Sequence, residues 1–353
     1  MFNGILLEDL ESICGRVREP LRSLSGRRIL VSGAAGFLPG YLVNTLLHAN
    51  DTYLSPPCQV ICLDNLLTGS EHRLDAWKNR ADVVVLNQSA TQPVSLLGEI
   101  DYIVHAASIA SPPVYRRYPL ETINVNVDGT KNLLELAAQH KAISFLYFSS
   151  SEVYGDPPPE WIPTPETYWG NVSFTGPRAC YDESKRLAET LCMVHHRQLG
   201  IPVKVVRPFN VYGPTMRLDD GRIIPDLLDR ALKGLPLVLF SDGRATRSFC
   251  YVSDAVTAIL LVLLSDQNGE AFNVGNNEEV SIGAVAELVD ELMGGGLGVQ
   301  FQENQDPDYV VDSPQRRCPD LRKLESTFQW KAEMPVREGL KTTIRWYQEA
   351  GTV

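Results

Sequence analysis

From Arg28 onward the chain alternates short, almost wholly apolar runs with longer stretches patterned for helices. The apolar runs fall at Ile29 to Ser32, Val60 to Leu63, Val83 to Leu86, Tyr102 to Val104, Phe145 to Phe148 and Val203 to Val206. Runs apolar on both faces suit strands covered on both sides by helices, so the pattern predicts an α/β, doubly wound parallel sheet. Ahead of it, Ile5, Leu6, Leu10 and Ile13 recur at helical spacing and predict an N-terminal helical extension over residues 1–26. After Arg207 the elements shorten, with breaks at Pro214, Gly221, Pro225, Gly234 and Pro236, before an amphipathic helix near Ile282 to Met293. The expected organisation is a sheet-building domain over 27–206 and a smaller, interleaved substrate-binding lobe that makes up most of 207–353.

Composition narrows the function classes. The 353 residues are 44% hydrophobic and 21% charged, ordinary for a globular protein, and the net charge of -11 argues against a nucleic-acid partner. The seven cysteines are scattered, without Cys-x-x-Cys spacing or paired histidines, so thiols in a reducing compartment are expected and no metal site. The N-terminus lacks the pattern of a signal peptide. The apolar stretch from Ala255 to Leu264 is too short to span a bilayer and reads as a core helix. The expected location is the cytoplasm, with no membrane contact.

Three segments carry candidate chemistry. Tyr181 and Lys185 are four apart on an expected helix and share a face, forming an acid/base pair in which the ammonium is expected to draw the phenol towards neutrality. The hydroxyl cluster Ser149-Ser150-Ser151, followed by Glu152, would hold the alcohol on which that pair acts. Gly33-Ala34-Ala35-Gly36-Phe37-Leu38-Pro39-Gly40 leads from the first strand into a helix, a turn that lets backbone approach a pyrophosphate. Asp64, closing the second strand, suits a ribose diol and favours NAD over NADP. The run Pro157 to Pro159 with Pro163 and Pro165 predicts an ordered loop near the site.

Together, Gly33-x-x-Gly36, Asp64, His105-Ala106-Ala107-Ser108, Tyr181-x-x-x-Lys185 and Arg207-Pro208-Phe209-Asn210-Val211-Tyr212-Gly213-Pro214 resemble the extended short-chain dehydrogenases/reductases that act on nucleotide sugars. The resemblance spans residues 28 to about 347 and implies an NAD-binding Rossmann domain, with Gly33, Gly36, Phe37, Leu38, Asp64, Asn65, Ala106, Ala107, Tyr181 and Lys185 on the cofactor. Two departures stand out: Pro39 replaces the usual third glycine, and Asn87-Gln88-Ser89 lacks an acidic residue at the adenine position.

Within that family Ser150-Ser151-Glu152 is decisive. Dehydratases carry an acid where Ser151 stands, and simple 4-epimerases a small or hydroxyl residue where Glu152 stands. UDP-glucuronate decarboxylases (UDP-xylose synthases) carry Thr-Ser-Glu, which this chain matches with Ser150 for Thr. The likeness extends through Ala110-Ser111-Pro112-Pro113, Tyr168-Trp169-Gly170-Asn171, Gly176 to Arg186 and Pro314 to Asp320. It implies oxidation at C4, loss of carbon dioxide and re-reduction, with Ser150, Ser151, Glu152, Tyr181, Lys185 and Arg317 catalytic. Ser111, Pro112, Asn210, Phe240, Arg247 and Arg317 would bind the nucleotide sugar, Arg247 at its pyrophosphate. A uronate 4-epimerase or a 4,6-dehydratase remains the alternative enzyme, and a non-catalytic dinucleotide sensor the alternative of another class. The family also implies a homodimer through helices around Asn124 to His140 and Lys185 to Gln198.

Overall fold

The computed structural model describes residues 4–95, 98–302, 311 and 313–350. Strands β1 (Arg28–Ser32), β2 (Gln59–Asp64), β3 (Val83–Asn87), β4 (Tyr102–His105), β5 (Ser144–Phe148) and β6 (Val203–Pro208) coincide with the six apolar runs. Smaller strands follow: β7 (Val211–Tyr212), β8 (Leu237–Leu239), β9 (Thr246–Ser248), β10 (Cys250–Tyr251), β11 (Glu270–Val274), β12 (Glu279–Ser281), β13 (Val299–Phe301) and β14 (Arg316–Arg317). The central sheet has seven parallel strands in the order β11-β6-β5-β4-β1-β2-β3. The seventh, β11, was not expected from the pattern. Its sequence Glu-Ala-Phe-Asn-Val breaks a short apolar run with the buried polar Asn273 behind an exposed Glu270. Its place is fixed instead by pairing with β6 and by Asn273, whose side chain accepts from Tyr154 and donates to the carbonyls of Thr164 and Asp320.

Two apolar cores cover the sheet. One face holds Ile29, Val31, Val60 and Val104 with helices Gly4–Arg16, Phe37–Thr52 and Val252–Leu263; the other holds Leu30, Ile61, Ile103 and Phe145 with Pro119–His140 and Ala179–Leu199. The helix Val252–Leu263 is wholly buried apart from one half-buried residue, which explains its continuous apolar sequence without any bilayer. Among the described residues no helix is long and apolar enough to cross a membrane. The N-terminal helix Gly4–Arg16 buries Ile5, Leu6, Leu10 and Ile13 as its spacing predicts, and its buried face also carries Asp9. Asp9 accepts hydrogen bonds from Tyr41 (2.8 Å) and Tyr251 (3.0 Å), while Arg16 pairs with Asp254 at 2.5 Å.

The sheet order reverses between β1 and β4, the topological switch point at which ligands of open α/β sheets bind, outside the carboxyl ends of the strands. The ends of β1, β2, β4, β5 and β6 deliver Gly33, Asp64, Ala106, Ser149 and Asn210 to that crevice. The second sheet, β12-β9-β14, faces it from the C-terminal half.

Candidate active site

A cavity of about 750 Å³ occupies the crevice. Every residue singled out from the sequence for catalysis, cofactor or substrate lines it, from Gly33 at one side to Arg317 at the other.

The glycine turn is shaped by contact with the neighbouring strand end. Gly33 has φ +70°, and a Cβ there would lie 2.7 Å from Ala107 Cα, so only glycine allows β1 and β4 to close the switch point. Gly36 precedes helix Phe37–Thr52, whose first-turn amides, those of Phe37 and Leu38 among them, have no carbonyl to bond within the helix. Pro39 sits in that same turn, where a missing N–H costs nothing, so the replacement of the third glycine leaves the helix start intact. Behind the turn, Ser32 Oγ accepts from the amides of Ala106 and Ala107 and shares a hydrogen bond with His105 Nδ1 at 2.8 Å. Burial, reinforced by the Lys185 charge, holds His105 neutral, with a pKa pushed down to about 3.

Asp64 Oδ2 accepts from the amide of Ala35 (2.9 Å) and Oδ1 from that of Leu66 (2.7 Å). Burial raises its pKa and these amides oppose the rise. The carboxylate keeps acceptor capacity for a ribose diol. Asn65 braces the following loop by accepting from the amide of Leu67. The cradle that a Cβ would fill, the open helix amides and the part-satisfied carboxylate together fit NAD, with pyrophosphate at the helix start and ribose at Asp64. Arg73, unanticipated from the sequence, crosses the turn and donates to the carbonyls of Ala35 (2.9 Å) and Thr215.

Tyr181 and Lys185 project from helix Ala179–Leu199 into the cavity, both buried. Their electrostatics differ from the expectation. Burial pushes Tyr181 up to about 12, partly offset by a hydrogen bond with Ser150, and pushes Lys185 down to about 7. Lys185 Nζ stands 5.8 Å from the centre of the Tyr181 ring and donates instead to the carbonyl of Phe148 at 2.7 Å. Desolvation therefore outweighs the ammonium at Tyr181, and the hydrogen bond with Ser150 is what favours its phenolate. Ser150 Oγ also accepts from the amide of Glu152, fixing the short turn Ser151–Tyr154. Ser151 is buried, and the buried Ser149 hydroxyl has no hydrogen-bond partner among the described residues.

Glu152 is the most heavily paired carboxylate in the cavity. Arg317 meets it with a two-pronged fork, one arm at 2.6 Å, and Arg178 donates to the same Oε2. Burial alone would raise its pKa, but Arg178 and Arg317, with Arg247 beyond them, hold it well below the usual carboxylate range. Arg247 and Arg317 are register partners on the parallel strands β9 and β14. The half-buried Arg247 guanidinium lies near a like charge, anchored to the carbonyl of Thr246 (2.8 Å) and to Ser313 (3.3 Å). Three guanidinium groups thus surround one carboxylate, an excess of positive charge that an anionic ligand would neutralise.

The remaining residues shape the cavity wall. Ser111 donates to the carbonyl of Asp220 at 2.5 Å, Pro112 opens the helix Pro112–Arg117, and Phe240 lies at the rim. Asn210, at φ +39°, donates to the carbonyl of Ser248 at 3.1 Å. Arg178, Arg222 and Tyr115 also line the site and were not singled out. A lone arginine or tyrosine carries no spacing signal, and only the run from Gly176 to Arg186 could have drawn notice to Arg178. The proline-rich loop is ordered beside the site, with Thr164 bridging to Pro319 and Asp156 accepting from the amide of Gln315.

A dinucleotide turn at the switch point of a doubly wound sheet, with a buried Tyr and Lys facing it, defines an NAD-dependent enzyme of the short-chain dehydrogenase/reductase type. The chain belongs to the NAD dependent epimerase/dehydratase family, matching it over residues 29–275. Among its relatives, UDP-glucuronic acid decarboxylase 5 of Arabidopsis thaliana is 41% identical over 316 residues, covering 90% of this chain and 88% of the relative. UDP-glucuronic acid decarboxylase 1 of Xenopus tropicalis is 37% identical over 346 residues, covering 97% and 78%. Among solved structures, a UDP-glucose 4-epimerase of Thermotoga maritima with UDP-glucose superposes with a TM-score of 0.81 at 25% identity, covering 92% of this chain and 99% of that one. A dTDP-glucose 4,6-dehydratase of Streptomyces venezuelae with NAD bound gives 0.80 at 25% identity, covering 91% and 97%.

Proposed function

We propose that this chain is an NAD-dependent UDP-glucuronate decarboxylase that releases carbon dioxide and forms UDP-xylose. The observation that carries the reading is the Ser151–Glu152 pair facing Arg178, Arg247 and Arg317. A dehydratase needs an acid where Ser151 stands, whereas a uronate needs cations for its extra carboxylate. Bound NAD supplies the hydride acceptor and donor at C4 of the sugar.

The chain's own residues do the rest. Tyr181, aligned by Ser150, takes the C4 hydroxyl proton and later returns it, and Lys185 stabilises the phenolate. Oxidation at C4 leaves a β-keto acid, whose C5–carboxyl bond breaks with its electron pair passing into the neighbouring ketone as an enolate. Hydroxyl donors around that oxygen lower the barrier. Arg317 holds the carboxylate, Arg247 the pyrophosphate, and Glu152 handles the proton that C5 gains.

Mass analysis of products from UDP-glucuronate tests this. Loss of carbon dioxide and a UDP-pentose are expected. An isomer of unchanged mass would make the protein a uronate 4-epimerase, and loss of water a dehydratase.

The division into an N-terminal extension, a cofactor domain and an interleaved substrate lobe is part of the same proposal, as is a cytoplasmic location, supported by seven unpaired cysteines. So is a homodimer: helices Pro119–His140 and Ala179–Leu199 expose Leu120, Ile123, Leu187 and Val194 on their outer faces. Light scattering reads that state directly.

A further inference from the structure

Glu152 and Arg178 belong to the same half of the molecule. Glu152 follows β5, and Arg178 caps helix Ala179–Leu199, its carbonyl accepting from the amides of Tyr181 and Asp182. Arg317 reaches Glu152 from β14, which lies in the other sheet and is tied to β9. The two bonds to Oε2 therefore differ in kind: one lies within the half that carries Tyr181, and the other spans the cavity. Both guanidinium groups also keep a buried Nε–H with no hydrogen-bond acceptor among the described residues. The Asp182 carboxylate stands 3.7 Å from the Arg178 Nε. The site holds more donors than its own carboxylate uses.

We propose that Arg178 is a positioning residue that stays with Glu152 while Arg317 transfers its fork from Glu152 to the carboxylate of the substrate. This rests on the uronate reading above. The exchange replaces one carboxylate–guanidinium pair by another, so the number of buried ion pairs is conserved. It works only if Glu152 keeps a cation when Arg317 leaves, because a buried carboxylate without a partner is costly. Arg178 is that cation. By accepting the Arg317 fork, Glu152 holds that guanidinium in place across the cavity.

The test compares two ligands that differ by the carboxylate, UDP-glucuronate and UDP-xylose, by titration calorimetry on NAD-loaded protein. A Tyr181→Phe background blocks turnover so that binding alone is read. Arg178→Gln is expected to weaken UDP-glucuronate by about 30-fold or more and UDP-xylose by less than about threefold. Arg178→Lys, which keeps the charge, is expected to recover most of that loss. With Tyr181 restored, Arg178→Gln is expected to raise KM more than it lowers kcat, and to shift the acid limb of kcat/KM to higher pH as Glu152 becomes easier to protonate. Equal weakening of both ligands, or unchanged discrimination, overturns the role of Arg178. Thermal melting verifies the fold, and if Arg178→Gln does not fold, the same comparison on Arg178→Met, which keeps side-chain bulk without the charge, decides: unchanged discrimination and an unmoved KM overturn the proposal. Wild-type protein that releases no carbon dioxide from UDP-glucuronate sinks the underlying reading, whereas wild-type decarboxylation with unaltered discrimination in the variant that removes the Arg178 charge sinks the exchange alone.

Discussion

The ring of Tyr115 lies flat against that of Tyr181, with centroids 5.2 Å apart and planes 11° from parallel. Tyr181 is thereby held between a neighbouring ring and Ser150. The Tyr115 hydroxyl is buried with no hydrogen-bond partner among the described residues. Tyr115→Phe is therefore expected to leave kcat nearly unchanged and to keep or raise the melting temperature, since the hydroxyl contributes no bond. Tyr115→Ala removes the stacking surface and is expected to lower kcat about tenfold or more through loss of orientation. A kcat for Tyr115→Ala equal to wild type would show that Ser150 alone fixes the phenol.

Gly33→Ala tests the turn. The added methyl would meet backbone of Ala107, which cannot swing aside as a side chain could, at a φ that alanine rarely adopts. Stability is expected to fall by roughly 1–3 kcal/mol, and NAD affinity with it. Fluorescence titration with NADH and urea unfolding report the two effects separately, and an undiminished NADH affinity would contradict the assignment of this turn to the pyrophosphate.

Lys185→Met should separate stability from activity. The buried ammonium is held down to about 7 against 10.5 for an ordinary lysine, so an unfolded chain binds a proton that the folded chain resists. The penalty is fully present below about pH 7 and disappears as the pH rises towards 10.5. The methionine variant is therefore expected to unfold at higher urea concentration than wild type at pH 6, with the gap narrowing at higher pH. Its kcat is expected to fall by about 100-fold or more, because the phenolate loses its cation. A gap in urea midpoint that is the same at pH 6 and pH 9 would refute this account of the lysine.

Asp9 predicts a pH dependence of the opposite direction in a region remote from the chemistry. Burial pushes its carboxyl up to about 6, against the hydrogen bonds from Tyr41 and Tyr251. Its contribution to stability is fully present below 3.8, the ordinary value, and is lost as the pH rises through about 6. Over that window wild type is expected to lose about 3 kcal/mol relative to Asp9→Asn. Urea midpoints of the two proteins between about pH 4 and pH 7 measure it, and parallel curves would remove Asp9 from the account.

How much of this could be read from residues alone depends on what each feature rests on. The six strands from β1 to β6 were legible because burial on both faces demands unbroken apolar runs, and Gly33, Tyr181 and Lys185 because their spacing reflects one turn or one helix face. Strand β11 was not, since Asn273 earns its place through hydrogen bonds to partners distant in the chain. Arg73 and Arg178 were missed for the same reason: a guanidinium's role is set by what the fold brings to it. The protonation of Tyr181 and Lys185 was misread because desolvation depends on packing depth, which no local pattern encodes.

The docking of helix Gly4–Arg16 has a consequence for the order in which the protein is made. The helix packs on Val252–Leu263, and its Arg16 reaches both Asp254 and the carbonyl of Lys331. On the ribosome the first helix can meet Phe37–Thr52 early, but the rest of its seat, on Val252–Leu263, exists only after most of the chain is translated. Strand β6 waits in the same way for β11. Folding of this chain is thus closed from both ends late in synthesis, and nascent chains halted before about residue 250 carry two unfinished surfaces on which chaperones would act.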